Sequence, residues 1–365
     1  MLDLKFYQGK KVLITGHTGF KGTWLCAVLL RGGAEVAGYA LEPSGSPSIF
    51  ELSKMKNKVN SITGDVRDID HLKKIVREIQ PEIIIHMAAQ PIVRESYRNP
   101  VYTYETNIMG TVNILECARV CDSVRSLVNV TTDKVYLNRE WEWGYRENEE
   151  LNGYDPYSNS KSCSELVTNC YRNSFFLNEN VEKTVAVSTI RAGNVIGGGD
   201  FSVDRIIPDC VRAALGKKAI IVRNPYSIRP YQFVLEPLMV YLMIAQKQYQ
   251  DIRYAGSYNV GPCDNDCLTT GRLATLFCDY WERIIGEKIY WENVSGLEPH
   301  EANYLKLDCT KLRTTFKWEP TWGIEKAMNK VVEWTKFYLA GEDVSKCMDR
   351  QIEEFLTENL NFKIF

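Results

Sequence analysis

The sequence lacks any apolar run long enough to cross a bilayer; the longest, such as residues 83–89, have the length of a strand. It also lacks an excess of either charge. Lysine and arginine number 44 against 46 aspartate and glutamate, a net charge of -2, which argues against nucleic acid or another polyanion as partner. The 11 cysteines are odd in number and scattered. Cys117 and Cys121, like Cys263 and Cys267, are spaced four apart but have no matching second pair, so neither a disulfide framework nor a metal site is expected. The opening MLDLKFYQGKKVLITG has no signal-peptide apolar region, and a reduced, cytoplasmic protein is expected. Internal repeats and low-complexity segments are missing too. At 365 residues the chain can form one large α/β unit with a second lobe.

What is present begins with an apolar strand at residues 10–16, a glycine-rich turn and an apolar helix. In GHTGFKG the glycines Gly16, Gly19 and Gly22 permit a tight turn, close backbone approach to a pyrophosphate and tight helix packing. The helix N-terminus then offers free amides to phosphate, which makes Gly16, His17, Gly19, Phe20 and Gly22 candidate cofactor residues. A second strand at residues 35–41 runs into EPSGSPS, where Glu42 is the one nearby carboxylate for a ribose and no basic residue meets a 2′-phosphate. NAD is therefore expected over NADP. A third strand at residues 59–65 ends at Asp65 and Val66, near where an adenine amine would lie. The fourth, EIIIHMAAQP, carries His86 as a packed core residue, Ala88 and Ala89 as small residues under a nicotinamide, and Gln90 facing substrate. A long helix at residues 99–119 holds Gly110 mid-helix, where close packing is the expected reason.

The stretch the chain is organised around follows, residues 130–161. A buried strand from residue 126 ends at Thr132, Asp133 and Lys134, the place where open α/β sheets bind ligands. On the next helix Tyr157 and Lys161 stand four apart, on one face, where the ammonium is positioned to lower the phenol's pKa and to hold a ribose. The strictly alternating βαβα pattern predicts a Rossmann-type, doubly wound parallel sheet. Residues 1–190 are expected to form the NAD-binding domain, with segments near 230–262 returning to it. Residues 191–229 and 263–340 are expected to form a smaller mixed α/β substrate lobe, and residues 341–365 a charged, amphipathic tail capping a neighbouring lobe or subunit. Arg191, Arg205, Arg223 and Arg229 are candidates for a diphosphate clamp.

With GHTGFKG, TNIMGTVNILE, TTDKVY, GYDPYSNSK, RAGNVIGGGD and RNPYSIRPYQ in place, residues 9–339 resemble the extended short-chain dehydrogenase/reductase family. Within it they are most similar to the nucleotide-sugar 4,6-dehydratases, in particular the branch acting on CDP-glucose. The resemblance implies that Thr132, Tyr157 and Lys161 carry the oxidation at C4 with NAD. It also implies that Asp133 is the acid for the departing 6-hydroxyl, and that the product is a 4-keto-6-deoxy sugar nucleotide for surface polysaccharide such as O-antigen. Lys134 stands where the dTDP-glucose branch has a glutamate base, and serves either as a desolvated base or as a stabiliser of negative charge. Asn194 is implied at the sugar or diphosphate, Arg229 at the phosphate, and the segment from Glu301 to Tyr304 at the nucleoside, while Arg205 stays a candidate on the chemistry of its guanidinium alone. A homodimer or dimer of dimers is implied through helices near residues 99–119 and 156–176. The rival readings are another nucleotide-sugar 4,6-dehydratase, a 4-epimerase, and a non-catalytic redox sensor, which would not need both Tyr157 and Lys161.

Overall fold

The computed structural model describes residues 2–177, 184–294 and 304–359. Seven parallel strands form the central sheet: β1 (Lys11–Thr15), β2 (Glu35–Ala40), β3 (Asn60–Thr63), β4 (Ile83–His86), β5 (Ser126–Thr132), β6 (Ala186–Ala192) and, at one edge, Ser257–Val260. Their order is β3-β2-β1-β4-β5-β6 and then Ser257–Val260. The chain thus reverses between β1 and β4, and the carboxyl ends on either side of that reversal open a crevice.

β1 and β4 are apolar because helices cover both faces. β5 and β6 are equally buried but carry Asn129, Thr131, Ser188, Thr189 and Arg191. These polar groups find partners on the helices packed against them. Asn129 donates to Ser164 (3.0 Å) and Thr168 (2.8 Å), and Ser188 donates to Gln248. Asn107 donates to Ser160 (2.9 Å), and the hydroxyls of Thr111 and Ser164 share a bond of 2.9 Å. Satisfied networks of this kind fix a unique packing, whereas an unpaired group would cost about 1–3 kcal/mol. The element they fix is the helix Pro156–Tyr171, which also begins on a side-chain cap: Asp155 accepts from the Ser158 amide (3.0 Å).

The predicted helix at residues 99–119 is interrupted. Pro100–Tyr104 passes through a π-helical turn, Glu105–Met109, into Gly110–Val120. Gly110 does mark a close approach, since a Cβ there would sit 2.7 Å from Val66 Cγ2. His86 is a core residue, with Nδ1 at 2.7 Å from the Thr15 hydroxyl.

Beyond β6 the strands are short: β7 (Asn194–Ile196), β8 (Ile220–Val222), β9 (Ile228–Phe233), β10 (the edge strand Ser257–Val260), β11 (Cys267–Thr269) and β12 (Trp291–Asn293). β7, β9 and β11 form one small sheet, and β8 pairs with β12. The helix Leu235–Gln250 lies beneath the main sheet, almost entirely buried. The C-terminal helix Val344–Glu358 packs its buried face, including Met348, Ile352 and Phe355, into the same core as Trp24 and Trp334. An Arg31–Glu353 ion pair ties it to the first helix, Phe20–Arg31. The described part of the expected tail therefore covers its own chain rather than a neighbouring subunit.

Candidate active site

The crevice is a cleft of about 890 Å³ running from the glycine-rich turn, past the ends of β4 and β5, to the small sheets. Its first wall is a cradle. Gly16 has φ +79, and a Cβ there would lie 2.9 Å from the Ala88 amide. At Gly22 a Cβ would collide with the Gly16 carbonyl at 2.2 Å, so the helix cannot seat on the turn with any other residue. The Thr15 hydroxyl accepts from the amides of Met87 (3.1 Å) and Ala88 (3.2 Å), locking the end of β4 beside the turn. An extended dinucleotide fits this shape. Phosphate would meet the amides at the start of the first helix, Asp65, Val66 and Glu42 stand at one end, and Ala88 and Ala89 floor the other.

The chemistry-bearing groups stand at that second end. Thr132 donates to the buried Asp133 carboxylate (2.9 Å) and is hydrogen-bonded to Tyr157. Burial pushes the Tyr157 phenol up to about 12, while Thr132 and Arg205 pull the other way. Lys161 lies one turn further along the same helix. It is buried, donates to the Val130 carbonyl (3.1 Å), and burial lowers it to about 8, with Glu165 opposing. Thr132 and Arg205 favour the phenolate. Burial raises the pKa of Asp133 more than Lys134, Thr132 and Arg229 lower it, and its Oδ2 has no partner among the described residues. A carboxyl in that setting can hold a proton for a leaving group.

Toward the small sheets, Asn194, Arg205, Arg223 and Arg229 line the cleft. Arg229 is buried and Arg205 pairs with Asp200 at 3.3 Å. Asp204 is within ion-pair distance of both Arg94 (3.1 Å) and Arg223 (3.5 Å), so it links the end of the main sheet to β8.

Four sequence expectations need correction. Arg191 is no clamp, because it is buried against Glu165 at 2.9 Å and donates to the Tyr136 hydroxyl at 2.8 Å. Gln90 lines the cleft, but its amide holds Thr103 (2.9 Å) and the Ile92 amide (2.7 Å), so it shapes the loop rather than presenting itself to substrate. The His17 ring turns away from the cleft under β2, with Nε2 at 2.8 Å from Ser61. Tyr304 donates to the Glu142 carbonyl (3.1 Å) and is not among the lining residues, and Glu301 lies outside the described residues.

A family model described as GDP-mannose 4,6 dehydratase matches residues 13–331. The chain belongs to the GDP-mannose 4,6-dehydratase family. This family member is 46% identical to the CDP-glucose 4,6-dehydratase of Salmonella typhimurium (strain LT2), over 98% of this chain and 99% of that protein. Among solved structures, the UDP-glucose 4-epimerase of Thermus thermophilus in complex with NAD shares its fold. The TM-score is 0.75 at 23% identity, over 88% of this chain and 97% of that one. The dTDP-glucose 4,6-dehydratase of Bacillus anthracis, also with NAD, gives 0.73 at 20%, over 92% and 100%. The family sits within the extended short-chain dehydrogenase/reductases that the motifs resemble.

Sequence reasoning about this GDP-mannose 4,6-dehydratase family member passed over Lys21, Asp200 and Tyr241. Lys21 alone left a signal: a lysine in the first turn of a helix that is otherwise apolar and phosphate-facing.

Proposed function

We propose that the protein is an NAD-dependent hydro-lyase that converts CDP-D-glucose into CDP-4-dehydro-6-deoxy-D-glucose. The observation that carries this reading is the buried Asp133, with its raised pKa, standing beside the Thr132–Tyr157 pair in a cleft that also holds a dinucleotide cradle. Oxidation at C4 requires only the pair and the cradle. Loss of water requires an acid in addition, and Asp133 supplies it.

The glycine cradle, with Ala88 and Ala89, would hold NAD, which would supply a reversible hydride acceptor for C4 and donor for C6. Tyr157 takes the proton of the 4-hydroxyl, with Thr132 fixing its direction. The 4-ketone acidifies C5–H, and Asp133 gives its proton to the departing 6-hydroxyl, so that water leaves. Lys134 lines the same cleft and either accepts the C5 proton itself or offsets the charge of the enolate while a water in the cleft takes that proton. A proton returns to C5 when hydride reaches C6. Asn194, Arg205 and Arg229 hold the sugar and diphosphate. Cytidine as the base rests on the likeness to the Salmonella relative along the whole chain. An epimerase has no use for the acid at Asp133.

Each nucleotide-glucose with cytidine, thymidine, uridine or guanosine is to be incubated with the protein and NAD, and the 4-keto product read by its absorbance in alkali. CDP-glucose is expected to give the largest signal; no signal with any of them would defeat the reading. For Asp133→Asn, product formation is expected to fall by about 10²–10³-fold. Reduced cofactor then builds up in a single turnover, because oxidation survives and elimination stalls. Loss of both signals together would place Asp133 elsewhere in the reaction.

We further propose a homodimer or dimer of dimers. Val101 (69% exposed), Met109 (50%), Leu166 (55%) and Phe175 (41%) leave apolar surface on the helices near residues 100–120 and 156–176. A monomer mass by light scattering would remove this proposal. A cytoplasmic location is supported by the cysteines, all of which are free. No helix among the described residues is long and apolar enough to cross a membrane.

A further inference from the structure

The small-sheet side of the cleft carries three carboxylates on one segment, Asp200, Asp204 and Asp209. Two are committed within that segment, Asp200 to Arg205 (3.3 Å) and Asp209 to Arg212. Asp204 reaches outward instead. One of its oxygens lies 3.1 Å from an Arg94 nitrogen and 3.5 Å from an Arg223 nitrogen, and all three residues line the cleft. Arg94 stands in the helix Val93–Arg98, which follows β4, and Arg223 directly follows β8, so the pairing crosses from the main sheet to a small one. The Asp204 backbone has φ +58, a left-handed conformation that aspartate and asparagine adopt more readily than most side chains. Arg223 leads into Asn224, Ser227 and Arg229, which line the same stretch of cleft, and Arg229 is buried there. A carboxylate therefore sits among the guanidiniums where an anionic group of the substrate would be held.

The reaction leaves the nucleoside diphosphate untouched, so substrate and product bring the same phosphate charges to these arginines. Binding energy realised there is uniform: it holds the product as firmly as the substrate and does nothing for the chemical steps. We propose that Asp204 is an internal competitor for the diphosphate. Before substrate enters, its carboxylate occupies Arg94 and Arg223. The diphosphate takes Arg223 from it, and Asp204 reclaims that guanidinium as product leaves. Arg223 is then a further phosphate ligand beside Arg229, and Asp204 sets the affinity of the site by keeping a like charge within reach of the phosphates. This rests on the nucleotide-sugar reading above.

The test is calorimetric titration of cytidine, CDP and inorganic pyrophosphate into the NAD-saturated protein, for the wild type, Asp204→Asn, Arg223→Met and the double variant. Asparagine keeps the shape and accepts the left-handed turn, so only the charge goes. In Asp204→Asn the dissociation constants of CDP and pyrophosphate are expected to fall by about fivefold, with that of cytidine unchanged. In Arg223→Met the CDP constant should rise by about tenfold. Adding Asp204→Asn to that variant should recover less than Asp204→Asn gains alone, because the contested guanidinium is gone. Unchanged or weaker CDP binding in Asp204→Asn would make the residue a strut between the sheets and overturn the proposal. So would an equal gain for cytidine, or a CDP constant in Arg223→Met within about twofold of wild type. Pyrophosphate separates the two readings: if it binds and responds as described while no nucleotide binds, Asp204 competes for phosphate and the nucleotide-sugar reading has failed.

Discussion

Tyr157→Phe is expected to lower turnover of the nucleotide sugar by about 10³-fold or more while leaving the melting temperature within a few degrees of wild type. In the proposed reaction the phenol has one chemical task, to take a proton from the 4-hydroxyl as hydride departs. Its hydroxyl is hydrogen-bonded to Thr132, and the Arg205 charge also favours the phenolate, against the burial that pushes it up to about 12. Removing one oxygen from a partly exposed ring deletes that function without opening a cavity. NAD binding should survive, because the glycine cradle is untouched, and a calorimetric titration of the variant would show it. Turnover within tenfold of wild type would sink the role given to Tyr157.

The largest effect on stability is expected at Glu165, a residue outside the cleft. Its carboxylate accepts from Arg191 (2.9 Å), Thr131 (2.5 Å) and Thr189 (2.6 Å), so it joins the helix Pro156–Tyr171 to both β5 and β6. Glu165 and Arg191 are both almost wholly buried. Burial alone pulls the Arg191 pKa down, but Glu165 beside it pushes it up, a measure of how strongly the pair holds its charge. Glu165→Ala would leave a guanidinium buried without its anion. The cost is about 3–5 kcal/mol, a large share of the stability of an ordinary domain. Glu165→Gln keeps the hydrogen bonds to the hydroxyls and should cost less. Replacing Arg191 and Glu165 together by Met should recover part of the loss. Equal denaturant midpoints for wild type and Glu165→Ala would contradict this account. Because Lys161 is one turn away and Glu165 raises its pKa, the Gln variant should also shift the alkaline limb of activity to lower pH.

Both residues show where sequence stops being legible. Alternating strand and helix patterns, with the glycines of the first turn, were enough to give the parallel sheet, its crevice, and the meeting of Thr132, Asp133, Lys134, Tyr157 and Lys161 on one wall. Those features follow from local periodicity and from the way right-handed crossovers stack. Arg191 was open to misreading, because an arginine at a strand end looks the same whether it points at a diphosphate or at a glutamate on a neighbouring helix. Gln90 failed for the same reason, its partners Thr103 and Asn107 lying on a segment that folds back over it. Burial is written in periodicity, but pairing is not. The helix after Gly341 was legible as amphipathic, but nothing in its sequence says which surface its buried stripe, from Val344 to Leu356, covers.

In the proposed reaction the hydrogen taken from C4 is the one that ends on C6. Nuclear magnetic resonance of the product made from CDP-glucose deuterated at C4, in ordinary water with catalytic NAD, tests it directly. The deuterium is expected in the C6 methyl group of a 4-keto product, with one solvent hydrogen at C5. Deuterium found in the cofactor pool, still at C4, or lost to water with the primary alcohol intact would contradict it.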